Sequence, residues 1–341
     1  MTTDAARDTI LDLAGAPVID GLRFRRPRGD DADWAAMAAV VSAANRHDGV
    51  PWMPSATNLR EEIESSEGCD PAADMVVVEL DGRVVGEAGV DRVMRGGIAV
   101  YETWGNLVPE VRRRGIGRAL LGGNLRRIDE RGATEPSDQA WEARGFADDV
   151  QTGHVALLRS VRAEPIRYFF LMLRPTLDDI PETPLPDGLE IRPVTPDQHR
   201  AIWDAEAEAF RDHWQSREPT DAEFEMTFAR EELDTSLWVV AWDGDEVAGV
   251  VQTWIWPHEN AELGVQRGWL EHISVRRPWR RRGLGAAITA EALRRLRRAG
   301  MTSAMLGVDA ENPTGALGLY ERLGFAVHQR STAFRVPVAR P

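Results

Sequence analysis

Arg280-Arg-Arg-Gly-Leu-Gly-Ala-Ala287 is the stretch on which the fold turns. It follows an apolar run that ends at Val275 and opens an amphipathic segment over 284–299, closed by Gly300 as a helix C-cap. A strand, a glycine turn and a helix in that order suit an anion. The first N–H groups of a helix lack intrahelical acceptors, its N-terminus carries partial positive charge, and glycine lets the main chain approach a phosphate closely. The spacing is neither the Gly-Lys-Ser/Thr of a Walker loop nor the Gly-x-Gly-x-x-Gly of a dinucleotide fold. Working outward, periodicity and breakers predict a strand at 189–194, helices at 196–211 and 221–232, hairpin strands at 236–242 and 246–255, and a strand at 268–275. After the glycine turn and its helix come a strand at 303–308, a helix at 313–323 and strands over 325–336. The class is α/β with a mixed sheet.

The same stretch occurs twice. Arg112-Arg-Arg-Gly-Ile-Gly-Arg-Ala119 lies 168 positions before its counterpart, also followed by an amphipathic helix. Asp20-Gly-Leu-Arg-Phe-Arg25 matches Asp187-Gly-Leu-Glu-Ile-Arg192, and two Asp-Gly turns, Asp81-Gly82 and Asp243-Gly244, fall between β-rich runs in the same order. Three matches in one order indicate a duplication. Pro175, Pro181, Pro184 and Pro186 punctuate the join, so an N-terminal domain is expected at 17–175, an extended linker at 176–187 and a C-terminal domain at 188–341.

A length of 341 residues accommodates two cores, and 43% hydrophobic with 28% charged residues is the composition of a globular chain. The first 15 residues carry too many charges for a signal-peptide core, and no apolar run reaches the length of a membrane span. The single cysteine, Cys69, has no partner for an intrachain disulfide, so a cytoplasmic protein is expected. A formal charge of −14 repels a nucleic-acid backbone, and no nucleic-acid partner is expected.

Two signatures together resemble those of the GNAT acetyltransferase superfamily. The first, Gln/Arg-x-x-Gly-x-Gly/Ala between the fourth strand and third helix, is met by Arg280, Gly283 and Gly285, and again by Arg112, Gly115 and Gly117. The second is met by Asn312, Ala316, Tyr320, Gly324 and Phe325. The resemblance implies two tandem domains, each a mixed, mostly antiparallel sheet flanked by helices, a plan similar to that of the mycothiol synthase branch. It implies acetyl-CoA as cosubstrate, no metal, and a cleft between splayed fourth and fifth strands. Backbone groups around Ile273 and Val275 would hold the pantetheine arm, and the amides of Arg281, Arg282, Gly283, Leu284, Gly285 and Ala286 the pyrophosphate, with Arg280 and Asn312 in the binding set.

Direct attack of an amine on a thioester needs a base for the amine and an acid for the thiolate. Tyr320 is the acid by resemblance, a phenol that stays protonated at neutral pH. The fourth strand offers Glu271 as base, with His272, Asp309, a water chain and an amine that arrives neutral as the other readings. The family's common carboxylate position, two residues before Glu271, holds Trp269. Trp254, Trp256 and Trp269 are expected on the third and fourth strands as acceptor-pocket walls or as core. Aligning the halves puts Thr103 opposite Glu271, Leu158 opposite Tyr320 and Val150 opposite Asn312, so the first half is expected to be non-catalytic. The function expected is direct acetyl transfer to a primary amine of a small molecule. The competing readings are a protein N-terminal or lysine acetyltransferase and a non-catalytic acetyl-CoA sensor. A monomer is expected rather than a dimer, because duplication supplies internally the contact that single-domain relatives obtain by pairing.

Overall fold

The computed structural model describes residues 9–216, 218–312 and 315–338. The chain divides into two compact units, one formed by 1–167 with 331–341 and the other by 168–330. The first half contributes β1 (Ile10–Leu11), β2 (Leu22–Arg25), α1 (Asp31–Asp48), α2 (Ala56–Glu64), α3 (Pro71–Asp74), β3 (Met75–Leu80), β4 (Arg83–Arg95), β5 (Ile98–Leu107), α4 (Ile116–Gly132), β6 (Trp141–Asp148), α5 (Thr152–Ser160) and β7 (Glu164–Arg174). The second contributes β8 (Glu190–Arg192), α6 (His199–Phe210), α7 (Asp221–Ala229), β9 (Val239–Asp243), β10 (Glu246–Ile255), α8 (Pro257–Leu263), β11 (Arg267–Val275), α9 (Leu284–Arg298), β12 (Ser303–Asp309), α10 (Ala316–Arg322) and β13 (Ala326–Val336).

In each unit the sheet is antiparallel except for one parallel pair, β5 with β6 and β11 with β12. Each sheet takes its last strand from the other half of the sequence. Residues 169–174 of β7 pair antiparallel with β12 in the second unit, while 331–336 of β13 pair with β6 in the first. The expected boundaries at 175 and 188 did not contain this exchange, because a strand's pairing partner leaves no mark on the strand itself.

Strand alternation sorts the second core. Val239, Ala241, Ala248 and Val251 face Leu284, Ile288, Leu293 and Leu296 of α9, whereas Val240, Trp242, Val250 and Trp254 pack with Ile202 and Ala205 of α6. The helix expected over 284–299 is α9, and Gly300 past its end has φ 85°. The helix expected over 221–232 ends at Ala229, and the strand expected from 236 begins at Val239. Between them Asp234 caps a 3₁₀ turn at Thr235–Leu237 by accepting from Ser236 N–H at 2.9 Å. Helix α8 was not expected, although Pro257 at its start and Gly264 in the left-handed region at its end mark it. Of the helix expected at 313–323, residues 313 and 314 lie outside the described residues and the rest contains α10.

Residues 176–187, expected as a linker, contain no regular element but are bound to the second core. Leu177 is fully buried in it, with Ile180 and Leu185 packed alongside. Arg294 donates to Pro181 O at 2.8 Å, Arg297 to Asp178 O at 3.1 Å and Arg174 to Asp179 O at 2.6 Å. Replacing Leu177 by Ala is expected to cost about 2–5 kcal/mol in urea unfolding, the range for a large-to-small change in a packed core. A change within about 0.5 kcal/mol, typical of surface sites, would show the segment to be an independent tether.

Candidate active site

The sheet opens the second unit's cleft. Strands β11 and β12 pair only at Arg267–Ser303, Gly268–Ala304 and Trp269–Met305, and then part. A cleft of about 960 Å³ lies where they diverge. The N–H of Arg276 bonds to Ala248 O at 3.0 Å, so alternation turns the backbone groups of Val275 and Ile273 away from β10, toward the cleft. Val275 O accepts from Arg280 Nε at 2.8 Å, which leaves the Ile273 groups and the Val275 N–H facing the opening.

The glycine loop closes one end. Arg281 (φ 60°) and Gly283 (φ 88°) are both in the left-handed region, and Gly283 caps α9 without a side-chain hydrogen bond. The N–H groups of Leu284, Gly285 and Ala286 in the first turn therefore lack intrahelical acceptors. A Cβ on Gly285 would lie 3.4 Å from Leu319 and 3.7 Å from Val275, so a larger side chain there projects into the cleft.

The arginines divide into two sets. Arg280 lines the cleft, but its guanidinium is engaged by the protein: its Nη1 meets Asp212 at 2.5 Å and its Nη2 donates to Ala209 O at 3.1 Å. Arg277 binds the same Asp212, and these two arginines hold its carboxyl well below the usual range. Arg276 pairs with Glu208 at 2.8 Å. Arg282 is outside the cleft lining and reaches Asp187 O at 3.5 Å. Arg281 lines the cleft, as does Arg322 on α10, and neither makes an ion pair among the described residues.

Tyr320 is 6% exposed, with its ring edge toward Phe325 at 6.1 Å. It lines the cleft, its hydroxyl bonds to no described residue, and burial raises its pKa. Asn312 lines the same cleft. Glu271 is the extra residue of a β-bulge: Gln252 pairs with His272 and Thr253 with Leu270, leaving 271 unopposed. It is exposed, lines the cleft, and accepts from Trp256 Nε1 at 3.1 Å. His272 turns instead to Glu206, a buried carboxylate, 6% exposed, that also accepts from Gln252 at 2.6 Å.

Trp254, Trp256 and Trp269 do not line the cleft. Trp254 is in the core beneath α6, stacked on Trp256 at 5.1 Å, and Trp269 donates to Glu259 at 2.7 Å. The aromatic wall comes from Phe169 of β7 and from Phe210 and Trp214 around the end of α6, with His213 between the latter two. Sequence reasoning missed these four and Arg322. Aligning Asp48 with Asp212, 164 positions on, would have drawn attention to His213 and Trp214 directly after it.

Residues 199–325 match the acetyltransferase (GNAT) family model. The chain is 30% identical to the mycothiol acetyltransferase of Salinispora arenicola over 310 residues, covering 89% of this chain and 92% of that one. It is 29% identical to the mycothiol acetyltransferase of Geodermatophilus obscurus, covering 95% and 99%. The chain belongs to the GNAT acetyltransferase family. Among solved structures, a GCN5-related N-acetyltransferase from Sphaerobacter thermophilus superimposes with a TM-score of 0.69 at 26% identity, covering 95% of this chain and 99% of that one. A tandem GNAT protein of the clavulanic acid biosynthesis pathway has the same fold, with a TM-score of 0.68 at 16% identity over 94% and 99%. The protein is thus an N-acetyltransferase of tandem GNAT architecture, as the two signatures implied, and its class uses acyl-CoA.

The first GNAT unit repeats the scaffold of the second. Arg112 donates to Leu107 O at 3.0 Å and meets Asp48 at 2.7 Å, and Arg113 (φ 63°) and Gly115 (φ 91°) reproduce the loop conformation. Its cleft is smaller, about 650 Å³. Thr103, opposite Glu271, is buried and accepts from Asn124 at 2.8 Å, and Leu158, opposite Tyr320, is fully buried. His154 lines this cleft, and burial, reinforced by Arg112 against the opposing pull of Asp48, lowers its pKa from 6.5 to about 4. The unfolded chain therefore binds a proton at His154 between pH 6.5 and about 4 that the folded chain refuses. The stabilisation is present above 6.5 and is lost as pH falls through that window. A His154→Gln variant should show a shallower fall of Tm across it. Equal slopes in wild type and variant would show that the imidazole titrates freely.

Proposed function

We propose that the second unit transfers the acetyl group of acetyl-CoA directly to a primary amine of a small molecule, and that the first unit is non-catalytic. The observation that carries the reading is the convergence on one cleft of free helix-start N–H groups, an unpaired strand edge and the unpartnered Tyr320 hydroxyl. These suit, in turn, a pyrophosphate, an amide-bearing arm and a departing sulfur. Acetyl-CoA would supply the activated thioester. The amides of Arg281, Arg282, Gly283, Leu284, Gly285 and Ala286 hold the pyrophosphate, and the exposed cations Arg281 and Arg322 face the remaining phosphate charge. Arg280 serves by fixing the loop. Ile273 and Val275 present backbone groups to the pantetheine, and Asn312 borders it.

Tyr320 protonates the leaving sulfur; its raised pKa keeps the proton available at neutral pH. Glu271, oriented by Trp256, receives the cationic amine and a proton from it. The only cysteine cannot carry a covalent acyl intermediate, since burial raises its thiol pKa and it lies outside both clefts. The relatives are named mycothiol acetyltransferases, so the deacetylated form of that thiol is the first acceptor to try.

Calorimetry with acetyl-CoA should show binding to the second unit that Gly285→Glu abolishes. Tyr320→Phe should keep that binding while thiol release to an accepted amine falls roughly 100-fold or more, the scale of a lost general acid. No acetyl-CoA binding by the wild-type protein would overturn the reading.

A further inference from the structure

Acetylation of an amine leaves one proton without a destination. An ammonium acceptor loses two protons, one before it attacks and one as the amide forms, and the sulfur takes up only one. A carboxylate, with a reference pKa of about 4.3, retains no proton at neutral pH and must pass it on. The cleft needs a second acceptor.

We propose that His213 is a catalytic residue of this cleft, the neutral imidazole that accepts the proton shed by the acceptor amine before attack. The proposal rests on the reading of the cleft as an amine acetylation site. His213 lines the cleft that holds Glu271 and Tyr320, and its side chain hydrogen-bonds to no described residue. Its position is fixed by the residues just before it. Asp212 is bound to Arg277 and Arg280, the His213 N–H bonds to Phe210 O at 2.9 Å, and the imidazole lies 4.4 Å from the Phe210 ring. The charged groups around it are Asp212 of its own segment, Arg280 of the glycine loop, His272 of β11 and Asp309 at the end of β12. Burial lowers its pKa, so it stands neutral and ready to accept at physiological pH.

The first unit is an internal comparison. It keeps the scaffold pair Arg112–Asp48 that corresponds to Arg280–Asp212, but the residue after Asp48 is Gly49 where the second unit has His213. That difference accompanies Thr103 for Glu271 and Leu158 for Tyr320. Three cleft groups able to handle protons have changed together while the anchor around them stays.

In the step proposed, the amine nitrogen forms a bond to the thioester carbonyl carbon, and the C–S bond breaks with its electron pair on sulfur. Tyr320 protonates the sulfur and is reprotonated by the proton lost as the amide forms. The earlier proton is taken by Glu271, passes to His213 and goes from there to solvent. The sum is one ammonium and one thioester giving one amide, one thiol and one released proton.

The test compares wild type with His213→Gln and His213→Phe. Acetyl-CoA affinity by calorimetry and Tm should be unchanged, while kcat falls roughly 100-fold. The acid limb of the kcat/KM profile should disappear, and added imidazole should restore part of the rate to His213→Gln. In the wild-type protein without ligands, the His213 ring nitrogens followed by NMR should titrate below 6.5. Full turnover with an unaltered acid limb in His213→Gln, or titration above 6.5, would refute the role. Wild-type protein that fails to bind acetyl-CoA would instead remove the underlying reading, and the calorimetry separates the two failures.

Discussion

One guanidinium holds the site together. A loop that offers its backbone N–H groups to a ligand cannot spend them on its own structure, and two left-handed residues, Arg281 and Gly283, would otherwise leave it loose. Arg280 supplies the missing bonds from its side chain, to the last carbonyl of β11, to a carbonyl near the end of α6 and to Asp212. Strand end, helix end and loop are fixed by one planar fork of donors, a geometry that a lysine could not reproduce. Arg112 makes the corresponding bonds to Leu107 and Asp48, so both units carry the same device.

The second constraint is the parting of the parallel pair. Strand β12 leaves β11 after three paired residues, which gives up ladder hydrogen bonds, and it keeps its direction because its other edge pairs with β7 over six. In the first unit β5 and β6 stay paired over five residues before they part, and no bulge interrupts the pairing of β4 with β5. The second cleft therefore opens earlier and wider, and its bulge is what places Glu271 on the opening. Exchange of the final strands between the halves supports this: each splayed strand is braced by a strand drawn from the other half of the sequence.

Local signals carried much of this architecture. The glycine turn, the period of α9 and the Asp243-Gly244 hairpin are written in consecutive residues, and the structure has them where expected. Long-range pairing was hidden. Nothing in Phe169 or Phe170 says that β7 joins β12, and the bulge at Glu271 arises from the register of β10 against β11, so simple alternation missed why Glu271 and His272 diverge. The tryptophans left two readings open for a related reason. Alternation placed them on strands, but which sheet face carries the ligand depends on helices that pack from outside the strand. His213 and Trp214 follow a helix end with no periodic signal, and only comparison between the halves marks them.

The arginine run shows how sequence charge and structural charge differ. Five arginines within 276–282 read as a basic surface, yet Arg276, Arg277 and Arg280 are neutralised by Glu208, Glu246 and Asp212. Three of the five are thus structural, tying the loop to α6 and to the hairpin ahead of it, and they add no net field toward solvent. The cations left for an incoming anion, Arg281 and Arg322, converge from different elements on one cleft mouth rather than lining an extended groove. That arrangement suits a compact polyphosphate, as the proposed function requires, better than an extended polymer backbone. On a chain with a formal charge of −14, a focused pair of cations beside a helix start is the local charge that the proposed coenzyme site calls for.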